Sequence, residues 1–225
     1  GLKSVRIDDL QTISPMTENQ QKTFDAYKEG KNLLLHGVAG TGKSFVSLYL
    51  ALEEVLDPSI GYDSIYIVRS TVPTRDMGFL PGTEEEKTAI YEAPYRSICA
   101  ELFSESGAYT TLKNQKNIYF MSTSYVRGIT LNNAIVLVDE VQNLTLHELD
   151  SIITRLGKNS KIIFCGDYTQ TDLTKNSDKQ GILLFMSILN SMSIFSSIEF
   201  GIEDIVRSFL IREYIITKHN LGIST

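Results

Sequence analysis

Lys43 and Ser44 close the run Leu33-Leu34-Leu35-His36-Gly37-Val38-Ala39-Gly40-Thr41-Gly42-Lys43-Ser44, an apolar stretch leading into G-x-x-x-x-G-K-S. With a strand before it and the helix-like run Phe45 to Leu56 after it, that spacing marks a phosphate-binding P-loop. Gly37, Gly40 and Gly42 let the backbone curl through positive φ and approach a ligand without Cβ clashes. The curl from Gly37 through Val38, Ala39, Gly40, Thr41 and Gly42 into Lys43, Ser44 and Phe45 is the expected cradle, with the helix dipole behind it. Lys43 brings a mobile charge to β- and γ-phosphates, and the Ser44 hydroxyl can ligate Mg²⁺. A glycine-rich turn that binds nothing would leave the Gly-Lys-Ser ending unexplained. The stretch therefore implies a nucleoside triphosphate, with ATP and Mg²⁺ as the expected ligands.

A second constellation lies about a hundred residues on. Ala134-Ile135-Val136-Leu137-Val138-Asp139-Glu140 is an apolar strand ending in two acids, the Walker B pattern. Asp139 is placed to hold the Mg²⁺ shell, and Glu140 to orient and deprotonate the attacking water. Two acids after a strand also occur as a helix cap, and it is the pairing with the P-loop that gives them this meaning. After the next apolar run, Gly166-Asp167-Tyr168-Thr169-Gln170 offers Gln170 as a γ-phosphate sensor, with Asp167 structural. Upstream, Gln20 suits adenine because one amide can both donate and accept, although Gln21 competes for the role.

These groups need elements to hold them. Strands are expected at the P-loop run, at 64–68, 117–121, 134–138 and 161–165, with an edge strand at 194–200. Helices are expected from Thr17 (N-cap) to Tyr27, 45–56, 84–103, 145–156 capped by Gly157, 180–189, and from Glu203 to about Lys218. Tyr91, Pro94 and Tyr95 interrupt the 84–103 helix, and packing on the sheet suits these aromatics better than base stacking. Such alternation reads as one α/β domain over 17–225 behind a lead-in at 1–16. The 64–68 strand delivers Arg69-Ser70-Thr71-Val72-Pro73-Thr74-Arg75 to the carboxyl edge of the sheet. Arg69 and Arg75 there either contact nucleic-acid phosphates or belong to a solvated loop.

The chain has 225 residues, 42% of them hydrophobic, which is enough for a substantial core. No apolar run approaches the roughly 20 residues of a membrane span. The opening Gly1-Leu2-Lys3-Ser4 lacks the apolar core of a signal peptide, so a cytoplasmic location is expected. Cys99 and Cys165 read as free core thiols, and the three histidines share no zinc-ligand spacing with them. A net charge of −6 argues against a broad DNA-coating surface but leaves room for a narrow basic groove.

With these motifs in place, the chain resembles a PhoH-family ATPase from Thr17 to Lys218. Further segments carry the resemblance: Gly78-Phe79-Leu80-Pro81-Gly82 with Glu86-Lys87, Tyr125-Val126-Arg127-Gly128, Val138 to Asn143, Thr154 to Lys161, Gly166 to Leu173, and Asp204-Ile205-Val206-Arg207. The family resembles the first motor domain of superfamily-1 helicases. The resemblance implies a single RecA-like P-loop NTPase domain with a mainly parallel sheet and helices on both faces. It also implies action on single-stranded RNA or DNA, RNA before DNA, and a homo-oligomeric, hexameric ring. Ile129 stands where the family usually has a second arginine, and the short chain, without an added domain, would suit a phage protein. Arg207 resembles the helicase arginine that reaches the γ-phosphate, and Arg155 and Arg127 compete for that role; each is equally well a surface salt bridge. A nucleotide-gated switch acting on protein is the alternative function. A small-molecule kinase ranks third, since no arginine-rich lid is present.

Overall fold

The computed structural model describes residues 4–71, 84–175, 179–206 and 209–223. Arg75, Gly78 to Gly82 and Arg207 lie outside the described residues. In chain order the elements are α1 (Glu18–Lys28), β1 (Asn32–Gly37), α2 (Lys43–Val55), β2 (Ser64–Arg69), α3 (Glu84–Phe103) and α4 (Ala108–Asn114). Then follow β3 (Ile118–Ser122), α5 (Thr123–Val126), β4 (Ala134–Val138), α6 (Leu146–Ile153), β5 (Lys161–Gly166), α7 (Gln170–Lys175), α8 (Gln180–Asn190), β6 (Phe195–Phe200) and α9 (Phe209–Asn220).

Among the described residues six strands form one sheet in the order β3-β2-β4-β5-β1-β6, every neighbouring pair parallel. Parallel strands covered on both faces read as continuous apolar runs, and these do. Leu33 and Leu35 of β1 face the layer of α1 to α4, while Leu34 faces that of α6 and α8. In β4, Ile135 and Leu137 divide from Ala134, Val136 and Val138 in the same way. The strand order sets β5 between β1 and β4, so the tips of all three meet at one carboxyl edge, where ligands bind in open α/β sheets. This is a RecA-like P-loop NTPase fold with helices on both faces. Cys99 and Cys165 are buried free thiols, as expected.

The structure departs from expectation at three helices. Pro94 does not interrupt α3, which runs unbroken from Glu84 to Phe103. Burial of Tyr95, Cys99 and Leu102 against the sheet outweighs the missing backbone bond. α6 stops at Ile153, and Gly157 caps nothing. Gly157 donates to Leu131 O at 2.7 Å and lies against Asn132, so close that a Cβ would come within 1.9 Å of its Oδ1. The last helix starts at Phe209 and not at Glu203, because Ile202–Asp204 is a 3₁₀ turn. The buried Asp204 carboxylate accepts from Thr17 Oγ1 (2.5 Å), Asn19 Nδ2 (2.8 Å) and its own turn at Gly201 N (2.8 Å). These bonds hold the turn against the start of α1. The lead-in is also tied down: Val5 is buried and exchanges hydrogen bonds with the Gln115 side chain.

Candidate active site

The loop between β1 and α2 has the curled geometry that its glycines allow. Gly40 and Gly42 adopt φ of +78° and +81°, and Gly42 is the residue from which α2 starts. Gly37 has a positive φ too, +130°, and also serves close approach, since a Cβ there would lie 2.0 Å from Phe200 O on β6. The first intrahelical bond of α2 is Val46 N–H to Gly42 O, so the amides of Lys43, Ser44 and Phe45 precede the helical ladder. Val38 is a correction: its N–H donates to Phe200 O at 3.0 Å and its carbonyl accepts from Lys43 Nζ and Thr41 Oγ1 at 2.8 Å each. It shapes the loop and has no amide left for a phosphate.

Lys43 is 4% exposed, and its ammonium lies 2.9 Å from Asp167 Oδ1 and 3.2 Å from Thr41 Oγ1. Asp167 at the tip of β5 thus holds the P-loop lysine, a more direct role than the structural one expected. Across the loop, Ser44 Oγ donates to Asp139 Oδ2 at 2.9 Å, and Asp139 Oδ1 accepts from Glu140 N–H at 2.9 Å. Glu140 sits in the left-handed region (φ 55°, ψ 43°), which a non-glycine residue seldom adopts and which tends to persist at functional sites. Its Oε2 accepts from Gln142 Nε2 at 2.6 Å, while Gln142 Oε1 accepts from Asp167 N–H at 3.0 Å. Burial first, then the charges of Asp139 and Asp167, raise the Glu140 pKa; Arg69 and Gln142 oppose the rise.

The donor set fits the ligands that the motifs imply. Ser44 Oγ and Asp139 Oδ2 are hard oxygens side by side, and Mg²⁺ in triphosphate sites takes only one or two protein oxygens beside phosphates and waters. Lys43 is a buried cation whose carboxylate partner a phosphate can replace. A cleft of about 830 Å³ opens beside the loop, between Gly37 to Ala39, Asp167 to Thr169, Gly201 to Glu203 and residues Tyr214, Ile215, Lys218 and His219 of α9.

The other expected residues divide. Arg69 does not extend into a solvated loop. At the end of β2 its Nη1 donates to Tyr91 O at 3.2 Å, its guanidinium lies over the Tyr91 ring at 5.7 Å, and its charge acts on Glu140. Gln20 is buried, and its Oε1 accepts from Met16 N–H at 2.7 Å, which fixes the chain entering α1. Gln170 opens α7 with its N–H on Glu199 Oε1 (2.9 Å) and its side chain exposed, so the glutamine bonded to the acids is Gln142. Arg127 is exposed beyond the carboxyl end of β3. Arg155 is exposed where α6 has returned toward the amino edge, its carbonyl accepting from Leu131 N–H ahead of β4. It is therefore not brought to this chain's own P-loop.

Two residues of this site carry no expected role in it, although Gln142 lies in the Val138–Asn143 segment and Tyr95 is expected to pack on the sheet, as it does. Gln142 lies two positions past Glu140, and only the fold shows that it bridges β4 to β5. Tyr95 of α3 is fully buried and donates to Asp139 Oδ2 at 2.6 Å. Burial, and then the Asp139 charge, push its pKa well above the ordinary value, so it stays a donor; Arg69 opposes the rise.

The chain is similar to known proteins over most of its length. The sequence profile of the family described as PhoH-like protein matches residues 12–218. The PhoH-like protein of Mycobacterium leprae is 31% identical over 224 residues, covering 95% of this chain and 62% of that protein. Protein PhoH of Escherichia coli K12 is 30% identical over 204 residues, covering 90% of this chain and 57% of its own length. The chain thus spans about three fifths of these relatives. Among solved structures, the large terminase of a thermophilic bacteriophage, in complex with ADP, matches with a TM-score of 0.51 at 12% identity. That match covers 89% of this chain and 49% of the terminase, and the likeness is one of fold.

Proposed function

The chain belongs to the PhoH family, and from that premise we propose that it hydrolyses ATP with Mg²⁺ and couples the hydrolysis to single-stranded nucleic acid, RNA before DNA. The observation that carries the reading is the Ser44–Asp139 pair at 2.9 Å with Glu140 beside it, its carboxylate held by Gln142 at 2.6 Å. In this reading Lys43 exchanges Asp167 for the β- and γ-phosphates, while the amides of Gly40 to Phe45 cradle them. Bound Mg²⁺ supplies charge neutralisation on the phosphate oxygens. Glu140 orients the attacking water and accepts its proton, a task for which a carboxylate with a raised pKa is better matched than an ordinary one. Gln142 keeps that carboxylate in place and links it to the β5 tip. Gln170 as γ-phosphate sensor and Gln20 as adenine contact belong to the same proposal.

For the nucleic acid, Arg127 and Tyr125 are exposed on one helical turn at the carboxyl edge, Tyr125 at 61%, pairing a phosphate-binding cation with a stacking ring. A finger arginine from a neighbouring subunit, Arg155 or Arg207, would complete the site in a hexameric ring. Among the described residues no helix is long and apolar enough to cross a membrane. A cytoplasmic location is a separate part of the proposal. The test is ATP hydrolysis by the purified protein with and without single-stranded RNA or DNA, at low and high salt. Stimulation that fades with salt supports the coupling. Good basal hydrolysis indifferent to both strands would move the function to a switch acting on protein.

A further inference from the structure

We infer that Tyr95 is a positioning residue for the cation side of the site: its phenol fixes Asp139 so that Asp139 Oδ2 and Ser44 Oγ present a pre-set oxygen pair to a divalent ion. The inference rests on the ATPase reading and deepens it.

Asp139 is held on three sides. Oδ1 accepts from Glu140 N–H, and Oδ2 accepts from both Ser44 Oγ (2.9 Å) and Tyr95 Oη (2.6 Å). Two of these donors lie near the acid in the site itself, on the adjacent residue and on the P-loop helix. The third, and the shortest of the three bonds, comes from a different layer element, α3. The bonds from Glu140 and Ser44 engage one oxygen each; the phenol adds a second donor to Oδ2 from a separate helix, one that does not belong to the P-loop. The helix carrying the phenol is itself anchored at the same sheet edge. Arg69, the last residue of β2, donates to Tyr91 O one turn before Tyr95 and lies over the Tyr91 ring. The phenol is thus placed by β2 and α3 together, and the orientation of Asp139 does not depend on the P-loop being filled.

Satisfying a buried hydroxyl is the lesser explanation, and a second tyrosine provides the control for it. Tyr109 is equally buried and donates to Glu92 Oε1 at 2.6 Å, in a cluster with Lys113 and Thr88 away from the P-loop. The experiment titrates Mg²⁺ into the protein carrying a fluorescent ADP analogue, in wild type, Tyr95→Phe and Tyr109→Phe. The Mg²⁺ midpoint is expected to rise about tenfold in Tyr95→Phe, the loss of one hydrogen bond to a charged group. Tyr109→Phe should keep the wild-type midpoint, and ADP affinity in chelator should be the same in all three. Arg69→Lys keeps the positive charge that acts on Glu140 but gives up the guanidinium's reach to Tyr91 O, and serves as the second variant, with a smaller shift in the same direction. An unshifted or lowered midpoint in Tyr95→Phe and Arg69→Lys, or equal shifts in Tyr95→Phe and Tyr109→Phe, overturns the inference alone. A wild type whose nucleotide binding ignores Mg²⁺ overturns the ATPase reading and this inference with it.

Discussion

Replacing Glu140 by glutamine separates the chemistry of this site from its cost to the fold. The Glu140 carboxylate is partly buried beside Asp139 and Asp167, and these influences raise its pKa above the ordinary value of 4.5. An acid whose folded pKa is raised binds its proton more readily in the folded state. Wild-type stability therefore falls as pH rises through the interval between the ordinary and the raised value. Glutamine removes that loss, yet its amide oxygen can still accept from Gln142 Nε2, now 2.6 Å from the carboxylate. Solvent screens the exposed side of the group, so a gain of about 1 kcal/mol is the scale to expect at neutral pH. For a chain of this size that is roughly 2–4 °C in Tm. Lys43 and Ser44 keep their partners, so ATP should still bind, while turnover loses the ~10²–10⁴-fold contribution of a general base. Thermal melts at pH 4.5 and pH 8, with steady-state hydrolysis alongside, check both halves. The variant should gain on wild type only at the higher pH. An equal Tm difference at both values would refute the electrostatic argument, and hydrolysis within tenfold of wild type would refute the assignment of the base.

Lys43→Ala should weaken ATP binding by about 100-fold or more, the range of a buried charge-assisted contact, measured by titration with a fluorescent nucleotide. Gln142→Leu should cut kcat by roughly 10- to 100-fold while leaving ATP affinity in place, because it frees Glu140 from its bond to the β5 side without touching the loop. Gly37→Ala should destabilise the fold by more than about 3 kcal/mol, read from denaturant melts. Its Cβ would meet Phe200 O at 2.0 Å and Phe200 N at 2.7 Å, both backbone atoms that move only if β6 moves.

What the sequence makes legible here is what lies contiguous in it. The P-loop is readable because its geometry is local: glycines at fixed offsets set the curl, and Lys43 and Ser44 follow in the same few residues. Asp139 and Glu140 are readable because a fully apolar strand must expose whatever comes after its last buried residue. Strand positions are readable for the same reason, since β1 and β4 are apolar on both faces. The misplaced starts and ends of helices have a different origin. Asp204 looks like part of a helical first turn until its carboxylate is found on Thr17 and Asn19, nearly two hundred residues away in sequence. Gly157 looks like a cap until Asn132 is found packed against it. Arg69 looks like a surface cation until α3 closes over it.

The same distinction runs through the site. Each motif holds one reacting group, but the bonds that set the relative positions of those groups join separate segments: Lys43 to Asp167, Gln142 to Asp167, Ser44 and Tyr95 to Asp139. None has a sequence signature, because no fixed spacing links residues on different elements. Yet in the proposed reading they decide whether a P-loop that binds also turns over, since hydrolysis there requires Glu140, the cation-side oxygens and Lys43 in one geometry. Asp167 takes part in two of these bonds, receiving the lysine on its carboxylate and giving its amide to Gln142. In the proposed reading, a phosphate that draws Lys43 away from Asp167 acts on the residue whose backbone amide holds Gln142, and through Gln142 on Glu140. In that reading, the same short path would link occupancy of the loop to placement of the base.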